Sequence, residues 1–363
     1  MTKIKLPVRI LVAVLCAALI LAMPFVLSGP DLTDETKMRL MHQEGGDDEG
    51  EEIDFGRLLF SAAYAEGDLD VVSVDEGELV SHPDWALSQD DFTVPPIPNP
   101  TGYTENGYSD ETIQVTVETR SIDGMTVNIA WVKISDPSQL RTAIAGNKVS
   151  STKTAPVTGM AKASNAVIAM NGDYYGQLPE KKLFEFRMGQ KIRGKTNKIK
   201  DTLIIDKDGD FHLFVKSKGL ADFAKENKDN IANAFMFGPA LVIDGEIKET
   251  DTEYAYAPVY KNPRSAIGQT GKLSYVMVII EGRGDEGTAG AKHEELAQIM
   301  YDLGCIQAYN LDGGNTAEMV MLEGYSEKNV TEKFHFKGDQ AAGTRNQTDI
   351  IYFGTLVPED TWQ

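Results

Sequence analysis

The sequence predicts an α+β fold, a mixed β-sheet domain with few helices, preceded by an N-terminal membrane or signal segment and a disordered, acidic, Pro-containing stalk. Three observations carry this. Short apolar runs and alternating apolar positions, bounded by Gly, Asn and Asp, recur from about residue 112 to 353. A single stretch has helical spacing: Leu296, Ile299, Met300 and Leu303 fall on one face, and Gly304 closes it. Before residue 108 there is little periodic signal. The 363 residues therefore divide into a targeting segment (1–28), a linker (29–107) and a folded domain (108–358).

Lys3, Lys5 and Arg9 precede an uncharged stretch, residues 10–27, at the lower limit for crossing a hydrocarbon core of about 30 Å. Positive charge ahead of that stretch predicts a cytoplasmic N-terminus and an exported body. Its length favours an uncleaved anchor, while Val26-Leu-Ser28 is a passable signal-peptide cut. Either way the rest of the chain works outside the cytoplasm, with membrane contact through this segment only. Residues 44–54 are dense in Asp and Glu and read as solvated, and the prolines of residues 94–100 read as a stiff spacer.

The net charge of -20 argues against nucleic acid and anionic membrane surfaces as partners. An anionic substrate therefore needs a local basic pocket. Cys16 and Cys305 are the two cysteines, one in the apolar leader and one beside a predicted strand, so no disulfide is expected.

The strands follow in order. Ile113, Val115 and Val117 alternate with polar residues, and after an Ile122-Asp-Gly turn residues 127–134 complete a hairpin. Residues 166–170 form a short apolar strand ending at Asn171-Gly-Asp173. Residues 203–205 and 211–215 flank Asp206-Lys-Asp-Gly-Asp210. That acidic turn reads as a hairpin and not a calcium loop, because Ser217 stands where a bidentate Glu is needed. Residues 240–243 and Ile247 enclose another Asp-Gly turn. Residues 275–281, the helix 292–303 and residues 306–311 give strand, helix, strand, which predicts parallel neighbours with a right-handed crossover. Residues 350–353 supply the last strand.

Chemistry concentrates at the strand ends. The run Asn310-Leu-Asp-Gly-Gly-Asn-Thr316 stops a buried strand at a carboxylate followed by two glycines. Glycines there let the backbone turn tightly, and their N–H groups can cradle an anion beside Asp312. Four other segments combine glycine or asparagine with charge: Asn171-Gly172-Asp173, Arg264-Ser-Ala-Ile-Gly268, Glu281-Gly-Arg283 and Arg345-Asn346. Arginine forks match phosphate oxygens. Paired carboxyl groups suit glycosidic bond cleavage. His293, in a polar setting, reads as a surface residue, and no Ser-His-Asp arrangement is apparent. Asp173, Glu281 and Asp312 are metal-type ligands, yet no compact motif demands a divalent cation, so no cofactor is expected.

At these segments the chain resembles the phosphodiester glycosidase family. The resemblance covers about residues 112–355 and runs in order through Asn171-Gly-Asp-Tyr-Tyr175, Arg264-Ser-Ala-Ile-Gly268, Glu281-Gly-Arg283, Gly290 with Glu295-Leu-Ala297, Asn310-Leu-Asp-Gly-Gly-Asn-Thr316 and Arg345. Asp173, Glu281, Asn315 and Thr316 depart from the family's usual Gly, Asp and Gly-Ser. The resemblance implies hydrolysis of a sugar-1-phosphodiester at the anomeric C–O bond of a cell-surface or extracellular glycan. It places Asp312, Glu281 and Asp173 as catalytic carboxyl candidates. Asn171, Gly172, Arg264, Arg283, Asn310, Gly313, Gly314, Thr316 and Arg345 would bind substrate. The other reading of the same cleft is a binding module for anionic envelope polysaccharide without turnover.

Overall fold

Asp-Gly pairs start the architecture. Asp123 and Gly124 both take positive φ (49° and 74°), as do Asp244 and Gly245 (51° and 76°). Two successive left-handed residues make the two-residue turn whose twist matches antiparallel strands. The first pair joins β3 (Ile113–Ile122) to β4 (Met125–Ile134) in continuous register. The second joins β12 (Ala240–Ile243) to β13 (Glu246–Ile247). The computed structural model describes residues 79–149, 153–173, 183–196, 198–284 and 289–362, within the folded unit Asp75–Gln363. The expected membrane or signal segment, the acidic tract and the linker up to residue 78 lie outside the described residues. No helix among the described residues is long and apolar enough to cross a membrane.

Among the described residues this unit is a mostly β domain of three sheets and three helices. The first sheet has the order β1 (Tyr103–Thr104), β2 (Gly107–Ser109), β3, β4, β15 (Ser274–Ile280), β14 (Arg264–Gly271), β16 (Gln307–Asn310), β12, β13. The second is β10 (Phe211–Phe214), β9 (Thr202–Asp206), β11 (Ile231–Phe235), β7 (Phe184–Arg187), β8 (Gln190–Gly194). The third is β18 (Thr331–Lys337), β17 (Glu318–Glu323), β6 (Ile168–Asn171), β19 (Asp349–Phe353), β5 (Leu140–Ile144).

The inner faces of all three sheets meet in one core that includes Val132, Met277 and Tyr309 from the first, Ile205 and Phe235 from the second, and Met170 and Phe353 from the third. Each outer face is covered by a helix. Helix α1 (Val157–Ala163) packs on the third sheet, α2 (Leu220–Glu226) on the second and α3 (His293–Asp302) on the first. Helix α3 buries Leu296, Ile299 and Met300, as its spacing predicts, and Gly304 ends it at φ 78°.

Two expectations are corrected here. Strands β15 and β16 do run in the same direction, but they are not neighbours: β14 lies between them and pairs antiparallel with both. Every ladder among the described strands is antiparallel. Residues 79–107, expected as disordered linker, form a strap on the domain. Arg141, wholly buried, donates from Nη1 to the Ser88 carbonyl at 3.0 Å and from Nη2 to that of Asp91 at 3.1 Å. Pro95 is buried so tightly that a side chain on Gly354 would come within 2.6 Å of it. Buried guanidinium donors need acceptors, and the strap's carbonyls supply two of them.

Candidate functional site

Strand alternation decides where the predicted site residues point. On β14, Ser265 and Ile267 share the inner face, while Arg264 and Ala266 face the layer of α3. Ser265 Oγ therefore reaches the Asp312 carbonyl at 2.6 Å. Arg264 turns the other way. Its Nε donates to Ala291 O, its Nη1 to Tyr256 O and His293 Nε2, and its Nη2 to Ala257 O and Tyr260 O, at 2.9 to 3.2 Å. A guanidinium has five N–H bonds, so all five are spent inside the protein. Burial and the nearby Arg283 charge lower its pKa to about 10. His293, expected on the surface, is instead fully buried as the acceptor of Arg264, and its pKa falls to about 3 through burial and the Arg264 charge.

Asn171 is likewise committed. Its Nδ2 donates to the carbonyls of Gly172 and Asp312, and its Oδ1 accepts from Glu318 N. Asn310 Nδ2 donates to Gly238 O at 2.7 Å, with the side chain buried. Asn171 thus fixes the backbone of the turn after β16, and Asn310 ties β16 to the loop before β12. Glu281 follows β15 but accepts from Asn128 Nδ2 on β4 at 2.8 Å. In the sheet order β4 lies on the far side of β15 from β16, so Glu281 and Asp312 lean apart.

Around Asp312 a different set converges. Its carboxyl accepts from Arg345 Nη2 at 3.1 Å, and burial raises its pKa to about 6 against the opposing pull of Arg345 and Thr316. Its side chain keeps 11% exposure and that of Arg345 38%, which places the pair at a rim. The turn that follows is built on close approach. Gly314 N donates to Pro263 O at 2.9 Å, Gly314 has φ 63°, and a side chain on Gly313 would strike Pro263 O at 2.6 Å. The guanidinium of Arg283, 47% exposed, lies over Gly314, braced by Asp339 at 2.8 Å and Asn262 at 3.1 Å. Thr316 Oγ1 donates back to Gly313 O. The rim thus holds one carboxyl and two guanidinium groups around a glycine turn.

Behind it lies a dry ion cluster centred on Arg187. Nε meets Asp349 at 2.7 Å, Nη2 meets Asp173 at 2.7 Å and Nη1 meets Glu185 at 3.2 Å, all essentially without exposure. The guanidinium also stacks 4.0 Å above the Phe235 ring. Asp173 takes a further bond from Met236 N. Burial and the Asp173 charge push Glu185 well above the ordinary carboxylate range. Burial raises Asp349 to about 6 although Arg187 opposes it. Gly172 presses on the Asp349 carboxyl and leaves no room for a side chain. Asp173 in turn adds repulsion that raises Asp312. Sequence reasoning named Asp173 but missed Arg187, Glu185 and Asp349. The available signal was Phe184-Glu-Phe-Arg187, a strand whose charged residues alternate with aromatics.

A model of the phosphodiester glycosidase family matches residues 164–353. The chain is 32% identical over 101 residues to an uncharacterised SPbeta prophage-derived protein, YomE, of Bacillus subtilis (strain 168); the match spans 28% of this chain and 15% of that relative. Among solved structures, it is similar to the catalytic domain of zebrafish N-acetylglucosamine-1-phosphodiester alpha-N-acetylglucosaminidase, auto-inhibited by its pro-peptide. That likeness has 17% identity, covers 67% of this chain and 83% of the other, and has a TM-score of 0.49. A hypothetical protein from Synechocystis is similar at 16% identity, with 67% and 62% covered and a TM-score of 0.45.

Proposed function

This chain belongs to the phosphodiester glycosidase family, and on that premise we propose that it is an exported hydrolase that cleaves the anomeric C–O bond of sugar-1-phosphodiesters on surface or extracellular glycans. The observation that carries the site assignment is the rim pair Asp312–Arg345 beside the Gly313–Gly314 turn. A phosphate ester is a good leaving group and needs little protonation, so one reactive carboxylate suffices where an ordinary glycoside asks for two. Asp312 is that group: largely buried but with 11% of its side chain open at the rim, and ionised above about pH 6. It attacks the anomeric carbon or activates water there. Arg345 and Arg283 stabilise charge on the departing phosphate, with the backbone of the glycine turn. Asp173 acts from behind, within the Arg187 cluster. Arg264 and Asn171 hold the scaffold and do not touch substrate.

Incubating the protein with a panel of sugar-1-phosphodiesters, UDP-sugars included, should release free reducing sugar. The Asp312→Asn variant should still bind and lose turnover. A panel on which wild type releases no sugar yet binds would favour the polysaccharide-binding reading instead.

A further inference from the structure

Why a wholly buried arginine should spend its donors on one surface loop is not explained by the reaction. Three of Arg264's five N–H bonds hold carbonyls of residues 256–260. That loop is strained: Tyr256 and Ala257 take φ of 70° and 55°, a left-handed region that bulky side chains avoid. Asn262 Nδ2 adds a long bond to the Tyr260 carbonyl at 3.4 Å. The Tyr256 ring stacks on Phe237 with centroids 4.3 Å apart, and Lys200 Nζ holds its hydroxyl at 2.7 Å. So much restraint presents an apolar tip to solvent, with Tyr260 68%, Val259 42% and Tyr256 37% exposed. Backbone strain that the surroundings over-determine is a mark of ligand clamps.

The loop adjoins the rim. Pro263, three residues after Tyr260, carries the carbonyl that holds Gly314 N. Three residues span at most about 11 Å, and Asn262 is also the residue that braces Arg283. We propose that residues 256–260 form a sugar-binding platform, on which the exposed Tyr260 ring stacks against a neutral sugar ring of the substrate's glycan. This rests on the hydrolase reading for the identity of the substrate. An aromatic face carries a negative quadrupole that attracts the C–H bonds on the flat face of a pyranose. Three exposed side chains are far fewer than the 20 or so that a stable protein partner covers. A sugar ring fits the tip, and the rim supplies the charge contacts beside it.

The test uses full-length protein and neutral tetrasaccharides of glucose, galactose and N-acetylglucosamine, without phosphate, titrated by calorimetry. Wild type should bind at least one. Tyr260→Ala should weaken that affinity roughly three- to tenfold, the worth of one aromatic contact, and Tyr260→Trp should preserve it. Binding to none of the three, or equal affinity in Tyr260→Ala, overturns the platform. Failure of the hydrolase reading has a different signature: tetrasaccharide binding persists and depends on Tyr260, while no phosphodiester in the panel yields reducing sugar.

Discussion

Two arginine–carboxylate sites stand back to back in this domain, and access to water separates them. Arg187 and its three carboxyl partners have almost no exposure. Arg345 and Asp312 pair with similar chemistry at a rim where Arg345 remains 38% exposed. In the closed site each charge is matched by geometry, and the cluster ties β7 of the second sheet to β19 of the third. Removing one member there strands the others in a dry interior. In the open site the carboxyl is desolvated enough to be near its titration point yet can meet a solute. Identical residue types thus sit in a closed scaffold or at an open rim according to burial, and only at the rim does the proposed reaction use them.

The largest effect that would sharpen this contrast is at the open site. Asp312→Asn should lower kcat on a sugar-1-phosphodiester by roughly 100- to 10,000-fold, with the urea midpoint little changed. A variant that kept activity would remove Asp312 from the chemistry. Second, Arg187→Met should cost about 3–5 kcal/mol of stability, since Asp173 and Asp349 lose their counter-ion; urea unfolding measures it. A cost under about 1 kcal/mol would mean the closed site is no scaffold.

Third, pH separates the roles. On the proposed mechanism Asp312 must be ionised to act, so kcat/KM should rise through about pH 6 and then level. Arg345 lowers that value, so Arg345→Ala should move the rising limb to higher pH; a limb that stays put would break the assigned coupling. The smallest effect lies on the edge strand β18. His335 bridges Glu318 and Glu332 at 2.8 Å each, and the Glu318 hydrogen bond raises its pKa. A raised folded-state value contributes stability below the unfolded value near 6.5 that is lost as pH climbs through the folded one. Partial exposure limits it, so His335→Gln should cost less than about 1 kcal/mol at pH 6 and nothing measurable at pH 9. Equal costs at both pH values would rule out the ionic contribution.

Local signals were legible where one residue type satisfies a local need. Asp123-Gly124 and Asp244-Gly245 turn because only such residues accept two left-handed positions in sequence. Helix α3 followed from its apolar stripe. Asp312 with its glycine turn was legible as a strand end that approaches other backbone. Pairing partners were not. Strand β14 enters between β15 and β16 because of contacts made by all three, and each of the three reads as a short buried run that would suit either arrangement. Facing was not legible either: Arg264 sits at the right strand end but on the helix-covered face, one residue out of phase with Ser265. Glu185 and Arg187 went unnoticed, because the Asp349 that pairs with Arg187 lies on another sheet.

The strap over Arg141 sets the lower boundary of any active fragment. A chain that begins at residue 79 keeps the carbonyls of Ser88 and Asp91 against that guanidinium. Trimming to residue 108, where regular strands become obvious, deletes both acceptors along with Pro95 from beside Gly354. Expression of this protein should therefore tolerate proteolysis upstream of the strap and fail when the cut falls inside it.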